Sequence, residues 1–236
     1  GVGFTSIVAA GSDSLELTWK KVSGVSGYEI YRSTKSDGGF EKIATINSSD
    51  TTNYKDTGLT PGTVYYYKMR TFTKSGSKTT YGSYSKVESG GTIAKTAISS
   101  LKSKNHKSLE ISWNVVGSAT GYEISRSTSK DGTFKQIAMI ASQSQSNYTD
   151  STVKAGKLYY YKIRAVGQEG TTTVYSDWSD AVSGRTAIKP AGIRVRSKNS
   201  TTLEISWKGD KNAAGYTIKR AESKNGKYTK IATVKG

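Results

Sequence analysis

The sequence predicts an all-β chain of tandem seven-stranded sandwiches, two of them complete and a third incomplete. Three observations carry this: an internal repeat, an apolar period of two inside each repeat, and turn signals at short, regular intervals. Leu15-Glu16-Leu17-Thr18-Trp19 recurs as Leu109-Glu110-Ile111-Ser112-Trp113 and again as Leu203-Glu204-Ile205-Ser206-Trp207. Gly27-Tyr28-Glu29-Ile30 recurs as Gly121-Tyr122-Glu123-Ile124 and as Gly215-Tyr216-Thr217-Ile218. Both sets repeat every 94 residues, which divides the chain into repeats at 1–94 and 95–188 and half a repeat at 189–236.

The elements of one repeat follow in order. Leu15, Leu17 and Trp19 alternate with Glu16, Thr18 and Lys20, the pattern of a strand with one buried face. Tyr28, Ile30 and Arg32 share a face of the next strand. Lys35-Ser36-Asp37-Gly38-Gly39-Phe40 then predicts a hairpin turn, matched by Asp131-Gly132 and Asn225-Gly226, because Asp-Gly and Asn-Gly tolerate positive φ. Ile43 to Ile46 forms a further strand, a short one surrounds Tyr54, and Tyr65 to Arg70 forms a long one. A last strand near Tyr84 to Glu88 closes the repeat. The half repeat supplies strands near Ile193, at Leu203–Trp207, at Tyr216–Arg220 and at Ile231–Val234. Trp19 and Trp113 are expected in the core, against Tyr65 and Tyr159 or their inward neighbours.

Trp19 on the second strand, followed by Leu59-Thr60-Pro61-Gly62-Thr63-Val64-Tyr65 leading into Met69 and Thr71, resembles the fibronectin type III module. The second repeat keeps Val153, Gly156, Tyr159, Ile163 and Ala165 but has Ala155 in place of the proline. The tyrosine- and lysine-rich character looks most like the versions in surface proteins and secreted enzymes of Gram-positive bacteria. The resemblance implies sheets A-B-E and C′-C-F-G, no catalysis of the module's own, and a role as spacer or binding unit. It makes residues 189–236 the strands A-B-C-C′ of a third module.

Composition bounds the function. No run approaches the roughly 18 consecutive apolar residues of a membrane helix. Gly1 to Ala10 lacks the basic start and apolar stretch of a signal peptide, as a mature segment or fragment also would. There is no cysteine, and 35 basic residues stand against 18 acidic ones, a net +17. Anionic polymers suit such a charge, namely cell-wall teichoic acids, acidic glycans or nucleic acid, and a host or cell-surface protein is a further candidate partner. The plainer reading is that scattered lysines keep an array soluble and blunt its strand edges, since no block of like charge occurs. A secreted or cell-wall location is expected, with no membrane span and no specific nucleic acid. The incomplete third repeat is expected to be a cut through a longer array; the alternative is that another chain supplies the missing strands at its open edges.

The inventory argues against catalysis. One histidine, His106, in a predicted turn, and no cysteine cannot furnish a zinc set or a nucleophile–base pair. No phosphate-cradling glycine motif and no calcium loop occurs, so neither cofactor nor metal is expected. Glu16, Glu110 and Glu204 recur at one outward position, and Glu29 and Glu123 at another. They read as surface carboxylates, with Glu29 exposed and paired to Lys68 or Arg70, and Glu123 to Lys162 or Arg164. Lys208-Gly209-Asp210 and the sequons at Asn47, Asn147 and Asn199 are short matches with bland explanations. The outward tyrosines are the best lead. Tyr31, Tyr66, Lys68 and Arg70, with Tyr160, Lys162 and Arg164, form a candidate binding face, because an exposed ring flanked by cations stacks on a sugar. Packing of those rings against lysine stems is the alternative. The expected function is a non-catalytic spacer, display or adhesion array, with glycan or wall-polymer binding through that face as the rival.

Overall fold

The computed structural model describes residues 1–236, folded as twenty strands with no helix. The sheets make two complete antiparallel sandwiches and part of a third. The chain divides into two compact units, one of residues 1–99, 113–146 and 161–181, the other of residues 100–112, 147–160 and 182–236.

In the first unit, β1 (Phe4–Ala9), β2 (Leu15–Trp19) and β5 (Asn53–Asp56) form a three-stranded sheet in the order β1-β2-β5. The facing sheet runs β4 (Glu41–Ile46), β3 (Gly27–Ser33), β6 (Val64–Ser75), β7 (Lys78–Tyr81), and β8 (Glu88–Gly91) also pairs with β6. Alternation along β2 and β6 buries Leu15, Leu17, Trp19, Tyr65, Tyr67 and Met69. Full burial of each such side chain contributes roughly 1.5–3 kcal/mol. Trp19 packs edge-on against Phe4 and Tyr28, at ring separations of 6.3 and 5.4 Å. Trp113 meets Tyr122 at 5.4 Å. Both tryptophans are buried as expected, and Tyr28 and Tyr122 are the rings against them. The indole nitrogens of Trp19 and Trp113 are buried without an acceptor.

A second buried device fixes β3, β5 and β6 to one another. Arg32 Nη1 donates to both carboxylate oxygens of Asp56, at 2.8 and 3.0 Å, and the Tyr67 hydroxyl donates to the same carboxylate at 2.7 Å. Burial first, then the hydrogen bond to Asp56, pushes the Tyr67 phenol well above its ordinary pKa. Registers Leu15↔Asp56 and Arg32↔Tyr67 place the three groups together.

Gly27 opens β3 where the Ile46 carbonyl crosses 1.9 Å from the site a Cβ would occupy. Gly121 and Gly215 meet Ile140 and Val234 in the same way, which explains why glycine recurs there. The Asp-Gly turns differ from expectation. Asp37, Gly38, Asp131, Gly132, Asn225 and Gly226 all keep negative φ, and Gly39 alone is left-handed, at φ +68°. The connection is a longer loop over residues 34–40, held by Ser33, whose hydroxyl donates to the Gly38 carbonyl and accepts from Lys35 N–H.

The last strand of the repeat also differs. Residues 82–87, with Tyr84 among them, leave the ladder and divide that strand into β7 and β8. Ser85 Oγ accepts from Met69 N–H at 3.1 Å, so a side chain replaces a strand partner there. In the second repeat, Ser176 and Ser179 hydroxyls accept from Ala165 and Ile163 N–H at 2.9 and 3.1 Å. That repeat has β9 (Ile98–Asn105), β10 (Ser108–Trp113) and β13 (Asn147–Asp150) in one sheet. The other holds β11 (Gly121–Ser127), β12 (Lys135–Ile140), β14 (Leu158–Glu169), β15 (Thr172–Tyr175) and β16 (Val182–Arg185).

In the second unit, β17 (Ala191–Asn199) pairs only with β18 (Thr202–Lys208), and β19 (Gly215–Arg220) only with β20 (Thr229–Lys235).

Candidate functional site

The candidate face lies on the outward side of the sheet that contains β3 and β6, where residues i and i+2 of β6 stand in line. Lys68 and Arg70 therefore project together, and β3, β7 and the loop at 82–87 bring aromatic rings to them. Lys68 Nζ sits 4.5 Å from the Phe40 ring centre and 4.2 Å from that of Tyr84. The Arg70 guanidinium lies 3.9 Å from Tyr81, 5.0 Å from Tyr84 and 5.5 Å from Tyr31. Tyr31 and Tyr84 meet edge-on at 5.2 Å. The result is a ladder of alternating rings and cations, each contact worth about 0.5–2 kcal/mol.

The second repeat builds the same ladder from Lys162 over Phe134 at 4.5 Å, and from Arg164 held between Tyr175 at 3.7 Å and Trp178 at 4.5 Å. Phe40 and Phe134, Tyr81 and Tyr175, and Tyr84 and Trp178 each stand one repeat apart. These six rings were not among the expected residues, although the repeat spacing pointed to them. Tyr66 and Tyr160 are half-buried on the same face, one alternate position before Lys68 and Lys162. Neither joins the ladder: Tyr66 stands in register with Ser33 and Ser89.

Beneath each ladder is a glutamate. The pairing of Glu29 with Arg70 is as expected, but its exposure is not: Glu29 is 3% exposed and Glu123 6%. Arg70 donates through Nε and Nη2 to one Glu29 oxygen at 2.8 and 2.7 Å, the Tyr31 hydroxyl donates to it at 2.7 Å, and Lys42 reaches the other oxygen at 3.0 Å. Arg164 clasps Glu123 at 2.9 and 2.6 Å. The rings of the ladder cover these carboxylates, which is why they are buried on an outward face. Burial alone would raise the Glu29 pKa; hydrogen bonds from Tyr31, Lys42 and Arg70 outweigh it and hold the carboxyl at about 2. Burial and its bonds to Tyr84 and Glu29 push the Tyr31 phenol up. A carboxylate so tightly paired is poorly placed to exchange a proton near neutral pH.

The remaining candidates lie apart. Glu16 accepts from the Asn53 amide at 3.0 Å and Glu110 pairs with Lys104 at 3.0 Å. His106 occupies the turn between β9 and β10, as expected.

Two antiparallel sheets with this strand order define an immunoglobulin-like β-sandwich module. Residues 3–88 match the fibronectin type III domain, and the pattern of that segment recurs 94 residues further on. It is 26% identical over 228 residues to exoglucanase B of Cellulomonas fimi, covering 87% of this chain and 19% of that protein. Over 73 residues it is 37% identical to an amylopullulanase of Thermoanaerobacter thermohydrosulfuricus, covering 31% of this chain and 5% of the enzyme. Fibronectin type III domain-containing protein 7 of Mus musculus is 25% identical over 210 residues, 88% of this chain and 26% of that protein. The chain thus spans a minor part of each relative.

Proposed function

We propose that the chain is a non-catalytic spacer and display array in an extracellular bacterial protein that acts on or near polysaccharide. The observation that supports this most is the satisfaction of both ladders from within. On this face Lys68 and Lys162 are already stacked on rings, and Arg70 and Arg164 are both stacked on rings and paired with buried glutamates, in both complete modules. That arrangement stiffens a module and leaves few donors for a ligand. The likeness to stretches of an exoglucanase and amylopullulanases supports the polysaccharide context and, with it, an extracellular location.

Glycan binding by the same face is the second reading, favoured by Tyr81 and Tyr84, which remain 48% and 44% exposed. The test is retention on insoluble cellulose, starch and purified cell-wall polymer, for the native chain and for Tyr81→Ala/Tyr84→Ala. A spacer passes through unretarded, and the double substitution lowers only stability. Retention of the native chain that the double substitution abolishes would transfer the function to binding.

A further inference from the structure

Between the first two repeats the chain runs through Thr92, Ile93 and Ala94, and each of the three is held in place. The Thr92 hydroxyl donates to the Thr60 carbonyl at 2.7 Å and accepts from Thr63 N–H at 3.1 Å, which ties the segment to the turn before β6. Ala94 N–H donates at 3.3 Å to Ser118 Oγ, in the loop before β11. Ile93 lies between these two ties and is only 4% exposed. Gly167 on β14 makes room for it: a Cβ there would stand 2.6 Å from Ile93 Cδ1 and 3.1 Å from Val174 Cγ2. Gly167 is not left-handed, so it is the space, and not the backbone conformation, that calls for glycine.

A second set of contacts closes the joint beside β1. The Ser12 hydroxyl accepts from Asp177 N–H at 2.9 Å. A Cβ on Gly11, whose φ is +154°, would come 3.2 Å from an Asp177 carboxylate oxygen. Half-buried Glu169 hydrogen-bonds to the Ala9 backbone, and β1 comes against β15. All of these residues belong to the first compact unit.

Comparison of the repeats shows which of these contacts are particular to the joint. At positions 94 residues apart, Gly167 stands where the first repeat has Thr73, Val174 where it has Thr80, and Asp177 where it has Ser83. Ser118 likewise stands where the first repeat has Gly24, and Ile93 corresponds to Ala187. The core strands keep their residue types from repeat to repeat, whereas these positions do not. Thr92 has a counterpart in Thr186, whose hydroxyl accepts from Gly156 N–H at 2.9 Å. The tie to the preceding turn is therefore general, and the seat of Ile93 on Gly167 is not.

We infer that Ile93 and the β14–β15 end of the second module form a fitted interface that locks the first two modules into one body. Modules on one chain move relative to each other unless their interface is fitted and apolar. Here a buried isoleucine and hydrogen bonds on both sides of it remove the hinge. The fit works in one order only, because a module with threonine at the seat has no room for Ile93. This inference does not rest on the spacer reading, since a locked joint serves a binding array equally, and its readout is a distance and not retention.

The chain has no cysteine, so spin labels on Ser36→Cys and Lys130→Cys, equivalent exposed positions of the two modules, report their separation by double electron–electron resonance. One narrow distance distribution is expected. Gly167→Thr and Ile93→Ala each bring in the residue that another repeat carries at that position, so both modules should still fold. Each substitution should abolish the narrow distribution, and the two together should do little more than either. Hydrogen exchange at the Asp177 amide should be slow in the native chain and faster in both variants. A broad distribution in the native chain would overturn the proposal, as would a narrow one that neither substitution changes. Ser12→Ala probes the joint from its other contact and leaves both seat residues in place. An Asp177 amide that exchanges no faster in that variant would also overturn it.

Discussion

Trp113 and Glu29 show how far a single side chain reaches in these modules. Trp113 fills the centre of its repeat, so Trp113→Ala should cost about 3–5 kcal/mol, as large aromatic truncations do. Its indole nitrogen is buried without an acceptor, and an orphaned donor costs about 1–3 kcal/mol. Trp113→Phe removes that penalty along with some volume, so it should destabilise far less than the alanine, as read from urea unfolding midpoints. Glu29 has its folded pKa held at about 2 from 4.5, so the carboxylate adds stability that is fully present above about pH 4.5. That contribution is lost as pH falls through about 2, and it amounts to on the order of 1–3 kcal/mol. The stability gap between the native chain and Glu29→Gln should therefore be widest near neutral pH and close towards pH 2. A gap that stays constant from pH 6 to pH 2 would contradict the network. The alternation around Glu29 marked it as outward, and outward was read as exposed. What buries it is a set of rings from β7 and the loops around Phe40 and Tyr84, a long-range assembly that period-two reasoning along one strand cannot see.

At the scale of the element, strands with one apolar face were legible because burial there is decided by alternation alone. The four strands of the half repeat, and β2, β3, β4 and β6, lie where the pattern put them. The closing strand was not legible in the same way. Ser85, Ser176 and Ser179 accept backbone N–H groups that a ladder partner would otherwise take, and a serine in a polar stretch carries no visible sign of this role. Ser179→Ala should leave the Ile163 amide without its acceptor, costing about 1–3 kcal/mol in the second repeat. Faster hydrogen exchange at Ile163 relative to its neighbours is the measurement, and unchanged exchange would show that the backbone finds another partner. The Asp-Gly loops were misjudged for a related reason. Dipeptide preference speaks for a two-residue turn, whereas Ser33 holds a longer loop in which the left-handed residue is Gly39.

For the molecule as a whole, the repeat of 94 residues decided the fold because three copies of one pattern constrain each other. Which rings meet which cations was legible only in part, since the ladder joins five segments in the first module and four in the second. The strands after Lys189 were legible because their pattern appears at the repeat spacing, and their apolar residues Ile193, Val195 and Leu203 are exposed here. Hydrogen exchange should find β17 to β20 weakly protected and the strands of the complete repeats strongly protected. Equal protection throughout would mean that the half repeat is stabilised by contacts other than its own.

The division of the closing strand into β7 and β8 has a bearing on life in an array. Modules of similar sequence held on one chain are at high local concentration while they fold, the condition under which neighbours trade strands and misassemble. A long, straight final edge would offer each nascent module a template on its neighbour. Here that edge is only four residues at a time, interrupted by a stretch whose Gly82 and Ser85 amides already bond to the Thr71 and Met69 carbonyls and whose Lys86 carbonyl accepts from Ser85 Oγ, and it offers a wandering strand little to zip along. The serines that look like loop filler thus leave each module a shorter edge for a neighbouring copy to pair with.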